Sequence, residues 1–402
     1  MKKILMLGAS HFQVPAIKYA KEAGYYVITA DYKPDNPGHE FSDEYHNVST
    51  IKKDEILKLS SALNIDGILS YASDPGAPTA AYVSEKLGLP GNPYRSVLTL
   101  QRKDLFREFL RKHDFNVPQS DSFKERDKAK RYADYLLDKF KHIIVKPVDS
   151  SGSKGVSKLA TIDEFDVLFA KAKEFSLSDE VVVEQFIEKR SYQMDGDGFV
   201  WDGHLAFSCF GTQHNDFECH PHVPVGISFP YVGDKVIQER ARKQIDRIMS
   251  LLDMKVGGLN IEFILDQNDK IYIIEIGPRS GGNLIPEVIR YATDIDLIKY
   301  AVEGALGKDC SDLNQVDTKG FYSSYILHAR KTGTVENIVI SDEIVPNIVE
   351  QNIMVDKGDA VQKFDGSHDT LGTFILRFEV HGEMVEYLDN MNNYISVNVE
   401  AC

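Results

Sequence analysis

Cysteine is scarce in this chain. There are four in 402 residues, Cys209, Cys219, Cys310 and Cys402, and no two form a CxxC pair. That argues against a disulfide framework and against a structural zinc site. Positive charge is in deficit: 46 Lys and Arg face 61 Asp and Glu, a net charge of −15. A broad nucleic-acid footprint is therefore not expected, and any anionic ligand must be held by local basic residues. No apolar run reaches the length of a membrane span. The opening MKKILMLGAS reads as a strand and not as a signal peptide. The expected location is the cytoplasm, with no membrane partner. What the chain does have is length for two or three domains and, with 43% hydrophobic and 27% charged residues, the composition of a globular protein.

The most informative stretch is Leu259–Asn283, LNIEFILDQNDKIYIIEIGPRSGGN. Two short apolar strands, Leu259–Leu265 and Ile271–Ile276, flank a turn rich in Asp and Asn, which is a hairpin signature. Each strand carries one carboxylate, Glu262 and Glu275. A Glu inside a buried strand is costly without a partner, and two on neighbouring strands repel unless a cation lies between them. Hard divalent cations such as Mg²⁺ take such oxygen ligands together with substrate phosphates. Arg279 follows, a planar cation suited to phosphate or carboxylate, and Gly281 and Gly282 allow close approach of a ligand. In isolation, two solvent-facing Glu on an amphipathic hairpin would look the same.

From the N-terminus, strands Lys2–Gly8, Tyr25–Ala30 and Gly67–Tyr71 alternate with helices Pro15–Ala23, Asp54–Leu63 and Pro78–Leu87. This pattern predicts a parallel sheet with ligands at the carboxyl ends of its strands, where His11, Ser73 and Asp74 are candidate substrate contacts. Turn and cap residues have the same appearance. The turn after the first strand lacks GxGxxG, so NAD binding rests only on Gly8 and Asp31. The Gly88–Pro93 stretch marks a boundary, and Arg95–Arg111 follows as one predicted helix carrying Arg102, Lys103 and Arg107. The strand His142–Val148 buries Lys146, which needs an anion. The next residues, Ser150, Ser151, Gly152, Ser153, Lys154 and Gly155, can offer backbone N–H groups and hydroxyls to phosphates, although the spacing is not that of a Walker A loop. Glu184 interrupts the apolar strand Val181–Ile187, which suits an adenine with Phe186 on its face. Thr212–Pro224, with His214, Cys219, His220 and His222, reads as an irregular loop lining a pocket, since its spacing fits no standard zinc pattern. Lys235–Leu252 is an amphipathic helix. Residues 320–402 alternate short strands and turns.

Lys103, Lys146, the Ser/Gly loop, Glu184, Glu262 and Glu275 occur in the order and spacing of the ATP-grasp family, which the whole chain resembles. It is most similar to the carboxylate–amine ligase branch, including L-amino-acid ligases, and to carbamoyl-phosphate synthase and biotin carboxylase relatives. The resemblance implies a mixed α/β and α+β ATP-grasp fold. Residues 1–93 would be a Rossmann-like domain, 94–310 a two-part ATP-clamping domain, and 311–402 a small β-rich lid. It implies that Lys103 and Lys146 contact ATP phosphates under the loop Ser150–Gly155, with Lys146 catalytic. Glu184 and the backbone of Phe186 and Ile187 would hold adenine. Glu262 and Glu275 would bind Mg²⁺ or Mn²⁺, and Arg279 would stabilise an acyl phosphate. Two positions depart from the family pattern. A ribose-binding Glu is replaced by Ser191, with Glu188 as the expected substitute. A third metal ligand is replaced by Gly277, with Asn283 near enough in sequence to reach in.

The implied reaction activates a small-molecule carboxylate as an acyl phosphate and joins it to an amine, with amino-acid-like substrates. Many such enzymes form homodimers. The alternatives are a bicarbonate-using carboxylase or carbamoyl-phosphate synthase, and a protein that holds nucleotide without turnover.

Overall fold

The computed structural model describes residues 1–221 and 223–400. Its N-terminal sheet is parallel, with spatial order Glu44–His46, Tyr26–Ala30, Lys3–Leu7, Gly67–Leu69. Ile4, Leu5 and Leu7 are fully buried, as expected for a parallel strand covered by helices on both faces. Helix Val14–Glu22 has Pro in its first turn, and helix Ala77–Leu87 stops at Gly88, which takes the left-handed conformation.

A second, antiparallel four-stranded sheet has the order Ser120–Phe123, Val181–Gln185, Ile143–Pro147, Ser157–Leu159. It faces a large antiparallel sheet of eight strands across a common cavity. That sheet begins with the hairpin Ile271–Gly277 and Val256–Leu265, then Met194–Trp201, His204–Asn215 and Pro224–Phe229. It ends with Phe321–Leu327, Gly372–Phe378 and Ile348–Ile353. Among the described residues no helix is long and apolar enough to cross a membrane.

Three elements differ from the sequence reading. The helix expected over Arg95–Arg111 is two helices, Tyr94–Gln101 and Lys103–Lys112, because Arg102 is extended. Its guanidinium binds Asp104 and Glu180 at 2.9–3.1 Å. The next N–H, of Lys103, goes to Val148 O at 3.0 Å. The break places Lys103 in the first turn of the second helix, against the cavity. Thr212–Asn215, read as loop, continues a strand paired with Pro224–Phe229. The tail, read as a small β-rich lid domain, gives three of its strands to the eight-stranded sheet, and three others, Gly333–Ile340, Ala360–Val361 and Ile395–Glu400, form a small sheet of their own.

Asp216, just after the strand His204–Asn215, fastens the tail. Its carboxylate binds Arg330 through Nε at 2.7 Å and Nη2 at 3.1 Å, His328 Nε2 at 3.0 Å and Asn392 Nδ2 at 2.9 Å. Burial alone would raise its pKa, but His328 and Arg330 hold it well below the usual carboxylate range. A depressed folded pKa gives stability that is present above the unfolded carboxylate pKa and lost as pH falls through the folded one. Asp216→Ala is expected to lower unfolding stability by about 3 kcal/mol and to flatten the acid limb of a pH–stability curve. Urea melts between pH 3 and 7 would check this.

Candidate active site

Three carboxylates stand in a row across neighbouring strands. Glu262 is in register with Glu275 on one side and with Asp195 on the other. Like charges placed directly opposite destabilise a sheet; here Asp195 is buried and Glu262 and Glu275 are half-buried in the cavity wall. Burial, with Asp195 and Glu275 adding to it, pushes the Glu262 carboxyl up to about 8. Burial raises Asp195 to about 6. The charge is offset in part: Gln193 Nε2 donates to Glu262 Oε2 at 2.7 Å, Asn260 Nδ2 donates to Asp195 Oδ1 at 2.9 Å, Lys103 Nζ lies 3.4 Å from Glu275 Oε2, and the Arg279 guanidinium acts on Asp195 and Glu262 from further off, yet both carboxyls stay raised. A row of hard oxygen donors that is under-compensated in this way fits a divalent cation. Asp195 was missed from sequence. The signal was available, because MDGDGFVW places Asp195 and Asp197 inside a buried strand, as Glu262 is inside its own.

Facing this row is a buried ion triad. Lys146 Nζ pairs with Glu184 Oε1, and Arg107 donates to the same carboxylate from Nε at 3.0 Å and Nη2 at 3.4 Å. Arg107 also donates from Nη1 to Ile274 O at 2.9 Å, tying the triad to the hairpin that carries Glu262 and Glu275. Burial opposes charge on Glu184, but Arg107 and Lys146 hold its pKa at about 2. Burial pulls Lys146 down to about 8, only partly offset by Glu184. Both Glu184 oxygens are thus engaged by cations, which differs from the expected direct role on adenine. Arg107 had no role in the sequence reading, although its spacing of four from Lys103 puts both on one helix face.

One cavity of about 1030 Å³ joins these groups to the carboxyl ends of the N-terminal strands. Ser150, Ser151, Gly152 and Ser153 form part of its wall, and Lys103 Nζ donates to Ser150 O at 2.8 Å. Gly155 is not in the wall. Its φ is +73°, and a Cβ there would sit 3.0 Å from Pro147 Cγ, so it closes the turn behind the loop. Phe186 and Ile187 are in the wall, with Lys158 Nζ 3.8 Å above the Phe186 ring. Glu188 is not, because it turns to His142, whose Nδ1 is 3.0 Å from Glu188 Oε1.

At the far end, Ser73, Asp74, Arg279 and Asn283 line the cavity, but His11 does not. Gln13 Oε1 accepts from Ser10 N at 2.8 Å and Ser10 Oγ at 2.7 Å, and Gln13 Nε2 reaches Ala72 O at 3.2 Å. That turn leaves His11 exposed and presents Ser10, Phe12 and Gln13 instead. Asp31 is in the wall, with its oxygens on Lys33 N at 3.1 Å and Asn36 Nδ2 at 2.8 Å. Asp74 grips Arg279 with both oxygens, to Nε at 2.8 Å and Nη2 at 2.7 Å. Burial would lower the guanidinium pKa, but Asp74 more than offsets this and holds it above its ordinary value.

Among the described residues of the polar segment around residue 214, His214 is taken up by structural partners. His214 lies between Asp389 and Ser228 at 2.8 and 2.9 Å, and His222 is outside the described residues. Asp216, Cys219 and His328 do come together, but the Arg330 guanidinium already neutralises Asp216. Phe217, Pro221, Val223 and Pro224 line the cavity.

A parallel-sheet unit followed by two antiparallel sheets closing over basic and acidic groups defines a nucleotide-clamping architecture. Residues 101–283 match the family model described as the ATP-grasp domain. The chain carries an ATP-grasp domain, and its fold is the ATP-grasp fold. It is 25% identical over 239 residues to a carbamoyl phosphate synthase large chain of Thermoanaerobacter pseudethanolicus, a match covering 58% of this chain and 21% of the relative. The chain thus spans about a fifth of the length of that relative. An L-amino acid ligase from Bacillus licheniformis superposes with a TM-score of 0.82 at 17% identity, covering 100% of this chain and 99% of that one. The biotin carboxylase domain of Hydrogenobacter thermophilus 2-oxoglutarate carboxylase, solved with MgADP and bicarbonate, gives 0.76 at 14% identity, covering 99% and 91%.

Proposed function

We propose that the chain is an ATP-dependent ligase that activates a carboxylate as an acyl phosphate and joins it to an amine, releasing ADP and phosphate. The observation that carries this reading is the single cavity in which Lys103 and Lys146 face the carboxylate row, with Arg279 in the same wall. Lys146 and Lys103 would bind the phosphate oxygens of ATP, and the 150–155 loop would cover them and exclude water. The adenine edge would meet the Phe186 carbonyl and the Ile187 N–H, since the Phe186 N–H already goes to His142 O at 3.2 Å. Glu184 would act through Lys146, by holding it. Glu262 and Glu275, with Asp195 beside them, are the residues that would hold Mg²⁺, whose charge offsets that of the phosphoryl oxygens when bound.

The substrate carboxylate oxygen attacks the γ-phosphorus in line, and the bond to the bridging oxygen breaks to give ADP. Arg279 holds the acyl phosphate. The amine then attacks the acyl carbon, and phosphate leaves with the proton that the amine gives up. Positioning and charge stabilisation are all that such a reaction asks of the protein.

The test is ADP release with Mg-ATP across amino acids, other carboxylates and bicarbonate, with hydroxylamine as trap. ADP with a hydroxamate from one carboxylate supports the ligase. The likeness to carbamoyl phosphate synthase favours a second reading, in which bicarbonate is the carboxylate, and ADP release with bicarbonate alone would select it. ATP binding without ADP under every condition would overturn both.

A further inference from the structure

The pair formed by Asp74 and Arg279 joins the N-terminal unit to the strand end of the ATP-grasp domain. Each partner has only 11–14% of its side chain exposed. The loop that carries Asp74 is fixed from several sides. Gln101 Nε2 donates to Asp74 O at 2.6 Å, Ser70 Oγ donates to Ser73 O at 2.7 Å, and Ala72 has a left-handed φ of 48°. A guanidinium has five N–H donors in one plane. Asp74 takes two of them, one on Nε and one on Nη2, and Ser280 O takes one from Nη1 at 3.0 Å. Two remain, one on each terminal nitrogen, and Arg279 borders the cavity.

Gly277 completes the arrangement. A Cβ at that position would sit 3.2 Å from Arg279 Cζ and 3.2 Å from Asp74 Oδ1. Those contacts are tight, and a longer side chain would have to enter the space that the pair fills. The residue at 277 is therefore small for a reason unrelated to weak metal binding.

We infer that Asp74 is a positioning residue: it fixes Arg279 so that its two remaining N–H groups receive a two-oxygen anion, and Gly277 is the opening that admits the pair. An arginine held on one edge by a rigid carboxylate keeps its orientation without a ligand and loses little rotamer freedom when one arrives. Asp74 would then not touch substrate. It would set the direction from which a carboxylate or acyl phosphate approaches. This rests on the ligase reading for the identity of the anion, but not for the geometry.

Inorganic phosphate, titrated into the MgADP-loaded protein by calorimetry, is the probe. Asp74→Ala and Gly277→Ala are each expected to weaken phosphate binding by about tenfold, the lower end of what loss of an orienting partner costs at metal sites. Their ADP affinity should stay within about twofold of wild type, and Asp74→Glu should recover part of the phosphate affinity. In spectra of arginine-labelled protein, the Arg279 Nε–H signal, assigned with Arg279→Lys, should shift on Asp74→Asn. Equal phosphate affinity in wild type and Asp74→Ala would overturn the inference. So would a wild type that forms hydroxamate yet binds no phosphate, and that result would leave the ligase standing. Asp74-dependent phosphate binding without ADP release from any carboxylate would do the reverse.

Discussion

Glu262→Gln is expected to abolish Mg²⁺-dependent ADP release, by at least about a hundredfold as for other lost electrostatic partners of a transition state, while making the metal-free protein more stable. The two effects have one cause. Glu262 is the middle member of the row Asp195, Glu262, Glu275, and burial with both neighbours pushes its carboxyl up to about 8, so at about pH 9, where it is ionised, an amide in its place removes two cross-strand repulsions at once. Gln193 Nε2 can still donate to the amide oxygen at 262, as it does to Glu262 Oε2. Relief of cross-strand repulsion is worth on the order of 1 kcal/mol, readable as a higher melting temperature in EDTA at about pH 9. Mg²⁺ should raise the melting temperature of the wild type and leave that of the variant unmoved. Unchanged turnover in the variant would refute the assignment of Glu262 to the cation. A lower melting temperature in EDTA would refute the reading of the row as self-repelling.

Arg107→Met should be the most destabilising single change in the site. It leaves Glu184 buried with Lys146 alone, and breaking a buried ion pair in this way costs about 3–5 kcal/mol. The loss should appear as a lower urea midpoint with an unchanged slope. The pH dependence gives a second readout. The Glu184 pKa is held at about 2, below the ordinary carboxylate value of about 4.3. The triad's contribution is therefore complete above the unfolded value and drains away as pH falls towards 2. Without Arg107 that acid-dependent loss should shrink. ADP affinity should also fall, since Arg107 holds the carboxylate that orients Lys146 and ties both to Ile274 O. An Arg107→Met protein as stable as the wild type would show that Lys146 alone compensates Glu184.

The parts of this molecule that were readable from sequence are those where one residue contradicts its immediate neighbours. Glu262, Glu275, Lys146 and Glu184 are charges inside apolar strands, and that anomaly is local. Asp195 carries the same anomaly, but its meaning depends on register with a strand some sixty residues later, which local pattern does not encode. Arg107 looked like any charge on an amphipathic helix until the break at Arg102 turned that helix towards the cavity. His11 went the other way. The turn was rightly placed at a strand end, but the Gln13 carboxamide decides which side chains face inward. The tail showed its strands clearly and its sheet not at all, because edge strands read the same whether they start a new sheet or extend an old one.

That shared sheet bears on how the protein is made. The strand Pro224–Phe229 pairs on one side with His204–Asn215, and on the other with Phe321–Leu327. While the chain is being synthesised, the carboxylate row and the cavity-facing strands can assemble well before their outer neighbour emerges from the ribosome. During that interval Val225, Ile227 and Phe229, all buried in the finished protein, lie on an open strand edge of the kind that recruits other chains. Expression that is truncated near residue 310, or paused there, should therefore give aggregates and not a smaller folded protein. The last strands act as a built-in closure for the part of the molecule that holds the cavity and its carboxylate row.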